Sequence, residues 1–292
     1  MGFWNALFGG QEPSPEEKQK NEEARSFDMF KYDGVKAARM GQFDYAVKCY
    51  EKALQLKDDP EVRDYLARAQ VKRGDFGAAM AQLRLLAEAA PDNVAVVQQL
   101  ARVAYMAEDY ATMEEACAKA QALDGNNADT CFLSAQAAIG QGNPIQAVAL
   151  LTKAATLNAN FGDALLLRGK TLLSMGDVKG AAKDADSLLE RYGDNEDVLL
   201  LKARVEHKAG HAAAAIALYN KVTEVNPFSI EAFKERGQVK YEQGDTKGAQ
   251  EDMQKVLELN PDALADVSGD YSAEGVENKV RQAYSFINPL GI

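Results

Sequence analysis

The sequence is poor in the residues from which metal sites, disulfide frameworks and catalytic triads are built. Its 292 residues include three cysteines, Cys49, Cys117 and Cys131, and two histidines, His207 and His211. The cysteines are odd in number and lack the spacing of zinc ligands, so the sequence indicates neither a disulfide framework nor a zinc site. This cysteine usage favours the reducing cytoplasm as the compartment of the protein.

The two histidines lie four residues apart, a spacing that could place both on one face of a helix as ligands of one metal ion. Gly210 lies between them and is predicted to end the helix, which would separate the two side chains. The sequence also contains no phosphate-binding glycine loop, no nucleophile elbow and no histidine-based triad spacing. We therefore predict a protein that is not an enzyme and that has no metal site and no cofactor.

Proline, long apolar runs and positive charge are scarce as well. Only eight prolines occur, and those in the body of the chain lie mostly between segments of helical apolar periodicity. No run of 18 or more apolar residues exists, so no membrane-spanning helix is predicted. Lysine and arginine number 33 against 44 acidic residues, a net charge of -11, which argues against nonspecific binding of nucleic acid. The abundant residues are helix formers, which predict an all-α fold.

A repeat of about 34 residues runs through the chain. Its most regular column is the alanine of a predicted second helix: Ala46, Ala79, Met113 in the equivalent place, Ala147, Ala181, Ala215 and Ala249. Twelve residues before each member lies a small residue: Gly34, Ala67, Ala101, Ala135, Gly169, Ala203 and Gly237. Five residues before each member lies a residue that is glycine in six of seven cases: Gly41, Gly74, Glu108, Gly142, Gly176, Gly210 and Gly244.

Each column has a physical reason. Small residues on facing sides of two helices allow a close approach, and a larger side chain there would overpack the contact by about 1–3 kcal/mol. Glycine ends the first helix because it adopts the left-handed conformation without steric cost. The third unit departs from the pattern at Glu108 and Met113, and the fourth has Pro144 where an aromatic residue recurs. These departures weaken single units and leave the period intact.

Helix–turn–helix units of this length with these columns resemble the tetratricopeptide repeat, and the resemblance covers seven units, about residues 27–261. It implies an all-α, right-handed α-solenoid of stacked antiparallel helix pairs, whose concave groove binds peptides or helices of other proteins. Residues 1–26 would form an N-terminal apolar segment with a linker or leading helix. Residues 262–292 would form a C-terminal capping helix and tail, because the last unit needs a cover and an apolar stripe at helical spacing follows it.

If the groove follows the family geometry, two columns of the first helices face it. The positions that we expect to bind a partner are Arg68, Arg102, Phe132, Leu166, Lys170, Leu200 and Arg204. We hypothesise that this basic and apolar surface, centred on units three to six, binds an acidic peptide or helix with apolar anchors. The alternative is that the bases pair with acids on neighbouring helices and only solvate the surface. The clamp that some family members use for chaperone C-termini is not matched, because Val35 stands where that clamp needs asparagine.

The N-terminal segment is the other unusual feature. It contains two i, i+4 pairs of large apolar residues, Phe3 with Leu7 and Trp4 with Phe8, separated from the repeats by glycine and proline. The segment could dock on a partner, on a second copy of the chain or on a membrane, or it could cap the array. A membrane anchor is the weakest of these because residues 1–10 contain no lysine or arginine. The alternative to a scaffold is therefore a self-assembling structural protein in which these aromatics dock on a neighbouring copy.

Overall fold

In a computed structural model, residues 14–264 are described, and they form fourteen α-helices followed by a 3-10 helix at Pro261–Leu264. The helices are α1 Pro15–Arg39, α2 Phe43–Leu56, α3 Pro60–Arg73, α4 Phe76–Ala89, α5 Val94–Met106, α6 Tyr110–Leu123, α7 Ala128–Gly140, α8 Pro144–Leu157, α9 Gly162–Ser174, α10 Val178–Tyr192, α11 Glu196–Lys208, α12 Ala212–Val225, α13 Ile230–Glu242 and α14 Thr246–Leu259. No strand occurs in this part of the chain, which confirms the all-α prediction.

The chain divides into two compact units, residues 1–141 and 142–292. Helices α1 to α7 belong to the N-terminal unit and helices α8 to α14 to the C-terminal unit. Within each unit, a helix packs mainly against the helix before it and the helix after it. This serial packing is that of an α-solenoid, in which one helix pair buries its apolar face only by stacking on its neighbours.

The small residues of the first helices are buried as the sequence predicts. A methyl group at Gly34 would lie 2.5 Å from Cε1 of Tyr50, and one at Gly169 would lie 2.8 Å from Cδ2 of Leu201. Either distance is a steric clash, so glycine at these positions makes room for the large side chain on the facing helix. The alanine column of the second helices is equally inaccessible to solvent.

The turn between the two helices of each repeat uses the left-handed conformation. All six glycines of the turn column have φ between 73° and 84°. Glu108 occupies the same place in the third repeat and adopts the same conformation, with φ of 56°. An L-residue in this region costs about 1–2 kcal/mol because its Cβ approaches the backbone. The turn geometry of the repeat is therefore kept at a cost where the glycine is missing.

Helix α1 is longer than the other first helices and extends the first repeat toward the N-terminus. It begins after Ser14, whose hydroxyl accepts a hydrogen bond from the Glu17 amide while the Glu17 carboxylate accepts one from the Ser14 amide. Its residues 15–25 are all exposed, and burial begins near Phe27. Residues 15–26 thus lie in the first turns of α1, which continues into the first repeat. The predicted C-terminal capping helix lies outside the described residues.

Candidate protein-binding surface

In the C-terminal unit, the basic groove column is paired with acids at the start of the next first helix. Nζ of Lys170 on α9 lies 2.8 Å from Oδ1 of Asp197 on α11. Arg204 on α11 bonds in the same way to Glu231 on α13. In both pairs the acid stands 27 residues after the base. Here the structure agrees with the alternative reading of the column, in which bases bind acids of neighbouring helices.

Arg204 is also part of a buried network. Its Nε and Nη2 donate to Oε1 of Glu235 at 3.0 and 2.8 Å, and the Tyr219 hydroxyl donates to Oε2 of the same carboxylate at 3.0 Å. The side chains of Arg204 and Glu235 are 13% and 4% exposed. Burial raises the pKa of Glu235, and the hydrogen bonds from Arg204 offset this only in part. Arg204 is therefore only slightly exposed and bonds to two acids of the following repeat, and its contact with a partner stays a prediction.

Leu200 differs from the expectation. It is 3% exposed and packs in a core cluster that includes Leu199, Tyr219 and Val222. Helices α11, α12 and α13 close over this position, so Leu200 cannot contact a partner. Leu166, one repeat earlier in the same column, is half-buried and reaches the surface.

In the N-terminal unit, the basic column is not neutralised by the next repeat. The Arg68 side chain is 65% exposed, and Nη2 lies 2.7 Å from Oδ2 of Asp64 on the same helix. The residue 27 positions later is Ala95, which carries no charge. Arg102 is exposed and forms no salt bridge with any residue that the structure describes. Its counterpart 27 positions later, Asp129, is itself exposed and does not reach it.

Apolar side chains occur on α5, which carries Arg102, and on α7, the next first helix. Phe132, the predicted apolar anchor on α7, is half-buried. Tyr105 and Met106 follow Arg102 on α5 by three and four residues, and both are exposed. The Tyr105 ring meets the Tyr110 ring edge-on, with centroids 6.5 Å apart. Sequence reasoning missed Tyr105 and Met106, although residues three and four positions apart on a helix share a face and this spacing was the available signal.

The two histidines turn away from one another. Helix α11 ends at Lys208, and Gly210 takes a φ of 84°, which separates the pair as predicted. Nε2 of His207 lies 2.7 Å from Oε2 of Glu242, and Nδ1 of His211 lies 2.7 Å from Oε2 of Glu206. Between residues 14 and 264, no three histidine, cysteine or acidic side chains group as metal ligands would.

The three cysteines are buried in the core, and none of them forms a disulfide. Burial raises the pKa of Cys117 to about 11, and the opposing hydrogen bond with Ser134 is the smaller influence. A thiol with this pKa is protonated at neutral pH and is a poor nucleophile. Cys117 therefore acts as a small apolar side chain.

The predicted N-terminal docking residues, Phe3, Trp4, Leu7 and Phe8, lie outside the described residues, and their role stays a prediction. Among the helices of residues 14–264, none has both the length and the apolar character needed to cross a bilayer.

Comparison with known proteins agrees with the repeat architecture. Sequence models of the tetratricopeptide repeat match residues 34–94 and 132–196, residues 172–235 and residues 231–263. The third repeat, which carries Glu108 and Met113, falls in the unmatched stretch between them, yet the structure forms its helix pair α5 and α6. No curated protein sequence matches the chain.

Solved structures share the fold at low sequence identity. A tetratricopeptide repeat protein from Parabacteroides merdae is 13% identical, with a TM-score of 0.69, and the match covers 89% of this chain and 99% of that one. PilF of Pseudomonas aeruginosa is 17% identical, with a TM-score of 0.55, over 70% and 94% of the two chains. YrrB is 17% identical, with a TM-score of 0.51, over 62% and 93%. The repeat columns, the helix pairs and the matching sequence models together show that the chain belongs to the tetratricopeptide repeat family.

Proposed function

We propose that the protein is a non-catalytic scaffold that binds an acidic peptide or helix of a partner protein through its N-terminal unit. The surface that carries this proposal, the arginine surface, consists of Arg68, Arg102, Tyr105 and Phe132. It combines two exposed cations with two aromatic rings that are accessible at least in part. Arginine offers forked hydrogen bonds to carboxylates, and aromatic rings supply apolar contact area.

The observation that supports the proposal most is the lack of a salt bridge at Arg102 within the described chain. A cation whose field is already neutralised, as at Arg204, gains little from a partner's carboxylate. The salt bridge of Arg68 with Asp64 is exposed and lies within one helix, where such pairs contribute only about 0.3–0.5 kcal/mol. Both arginines can therefore bind carboxylates of a partner at little cost to the fold.

Membership of the family supports the same class of function. The solved structure of YrrB, which shares the fold, is described as a tetratricopeptide repeat protein with an unusual peptide-binding site. For the present chain, we centre the proposed binding surface on α3, α5 and α7. The sequence had favoured units three to six, but in the sixth unit Leu200 is buried and the Arg204 side chain, 13% exposed, already bonds to Glu231 and Glu235.

The test begins with peptides selected from a random display library on the purified full chain. We expect the selected peptides to be rich in aspartate and glutamate with interspersed apolar residues. Their Kd is then measured by fluorescence anisotropy for the wild type and for Arg68→Glu/Arg102→Glu, which we expect to weaken binding at least about tenfold. Binding should also weaken as salt concentration rises, because exposed charges are screened.

The matched control is Lys179→Glu/Lys221→Glu, which reverses two exposed bases of the C-terminal unit and changes the net charge equally. This variant should keep most of the wild-type affinity. Selected peptides without acidic residues, or equal weakening by both variants, would contradict the proposal.

A further inference from the structure

A cleft of about 370 Å³ lies within the C-terminal unit, between the starts of α9 and α11. Its lining includes the carboxylates Asp163 and Asp197, the aromatic rings Phe161 and Tyr192, and the aliphatic side chains Leu166 and Val198. The volume is at the low end of the range of pockets that hold small ligands. Acidic groups, aromatic rings and an apolar floor thus occur together in one concave site.

Contacts between neighbouring residues hold the walls of the cleft in place. Tyr192 ends α10, and its ring lies against the start of α9, where a methyl group at Gly162 would be only 3.1 Å from its Cε2. Nη1 of Arg191 donates a hydrogen bond of 2.7 Å to the carbonyl oxygen of Ala159, which ties the end of α10 to the loop before α9. The side chain of Asn195 caps α11 by accepting from the amide of Val198. These contacts fix the walls before any partner arrives.

The carboxylates of the cleft are available to a ligand. Asp163 is exposed and forms no salt bridge with a described residue. Asp197 pairs with Lys170, but the two side chains of that pair are 59% and 38% exposed. Exposed pairs contribute only about 0–1 kcal/mol, so an incoming cation can replace Lys170 at small cost.

We propose that this cleft binds an arginine side chain of a partner protein. The guanidinium would hydrogen-bond to Asp163 or Asp197 and stack on the ring of Tyr192 or Phe161, while the methylene stem would pack on Leu166. The two carboxylates would repel an acidic ligand from the cleft. Arginine suits the cleft better than lysine because its planar group can stack and donate forked hydrogen bonds at once. The site is separate from the arginine surface and does not depend on it.

The test uses NMR titration of the full chain with the capped tripeptide Leu-Arg-Leu at millimolar concentration. We expect saturable shifts of the backbone amides of Gly162 and Val198. The same tripeptide with citrulline, which has the shape of arginine without its charge, should bind about tenfold more weakly. Citrulline binding equal to that of arginine, or shifts that avoid the cleft, would overturn the proposal.

Two pairs of substitutions test whether binding depends on the carboxylates of the cleft or only on the net charge of the protein. Asp163→Asn/Asp197→Asn should weaken the arginine tripeptide about tenfold, because the shape of the cleft stays and the charge-assisted bonds are lost. Glu224→Gln/Asp262→Asn removes the same two negative charges from exposed positions elsewhere in the C-terminal unit and should bind like the wild type. Equal loss in the two variants would mean attraction by net charge alone and would reject the site. Arg68→Glu/Arg102→Glu should leave this titration unchanged, so the two proposals can fail independently.

Discussion

The basic groove column of the repeat has different salt-bridge partners in the two units. In the C-terminal unit, Lys170 and Arg204 each bind an acid of the following repeat. Arg204 also bonds to the buried carboxylate of Glu235. In the N-terminal unit, Arg68 and Arg102 make no such bond to the following repeat. The repeat register therefore predicts the position of a residue on its helix. It does not determine whether the charge of that residue stabilises the array or is available to a partner.

The difference follows from acids on the neighbouring repeat. Arg204 has Glu231 and Glu235 within reach, whereas the residue equivalent to Glu231 for Arg68 is Ala95. The N-terminal unit is not without inter-repeat pairs, since Nζ of Lys31 on α1 bonds to Glu61 on α3. Within this column of the described chain, Arg68 on α3 and Arg102 on α5 are the cations whose following repeat lacks the acid or has an acid that does not reach the base.

Of the variants that test this comparison, Arg204→Met is expected to have the largest effect on the free energy of unfolding. The change leaves the Glu235 carboxylate buried without its cation, and breaking a buried pair in this way costs about 3–5 kcal/mol. Urea denaturation of the full chain, followed by circular dichroism, measures the loss in free energy of unfolding. A loss below about 1 kcal/mol would contradict the structural role given to Arg204.

The pH dependence of that variant gives a second measurement. Burial already raises the pKa of Glu235, and loss of Arg204 raises it further. A carboxyl group whose pKa is higher in the folded than in the unfolded state destabilises the fold once pH exceeds the unfolded pKa. The penalty of Arg204→Met should therefore shrink as pH falls from neutral toward the ordinary pKa of glutamate. Arg204→Met/Glu235→Gln, which keeps an acceptor for Tyr219, should recover much of the lost stability and show little of this pH dependence.

The fold could be predicted from the sequence because each repeat carries the same columns of residues. The column of small residues is buried wherever it occurs, and the turn column adopts the left-handed conformation even at Glu108. Seven copies of one pattern make an error at a single copy harmless. The proposed binding surface has no such redundancy, because it depends on contacts between individual side chains.

Arg204 shows which signal in the sequence could have predicted its bonds to acids of the following repeat. Glu235 stands in a column whose three preceding members are Leu133, Leu167 and Leu201, and Leu133 and Leu201 are buried. A carboxylate at a position where the preceding units have leucine needs a cation if it is buried, and a basic residue one repeat earlier is the natural donor. Leu200 could not have been assigned in this way, because its burial depends on how α12 and α13 close over α11.

A smaller effect is expected in the third repeat, where the N-terminal unit departs most from the pattern. Glu108→Gly removes a Cβ from a residue with φ of 56° and should raise the free energy of unfolding by about 1 kcal/mol. The gain is limited because glycine also increases the entropy of the unfolded chain. Glu108→Ala is the matched control: it removes the carboxylate but keeps the Cβ, so it should not stabilise. Equal gains in both variants would assign the effect to charge and not to backbone conformation.

The smallest effect compares one cation from each unit. Lys170→Met removes an exposed inter-repeat salt bridge and should cost about 0.2–1 kcal/mol at low salt. Arg102→Met removes a cation without a salt bridge and should change stability by less than about 0.5 kcal/mol. Because salt screens exposed pairs, the cost at Lys170 should fall toward zero near 1 M salt, while Arg102→Met should stay unchanged. A salt-sensitive cost at Arg102 would mean that its charge stabilises the array, and the contrast between the two units would then disappear at this position.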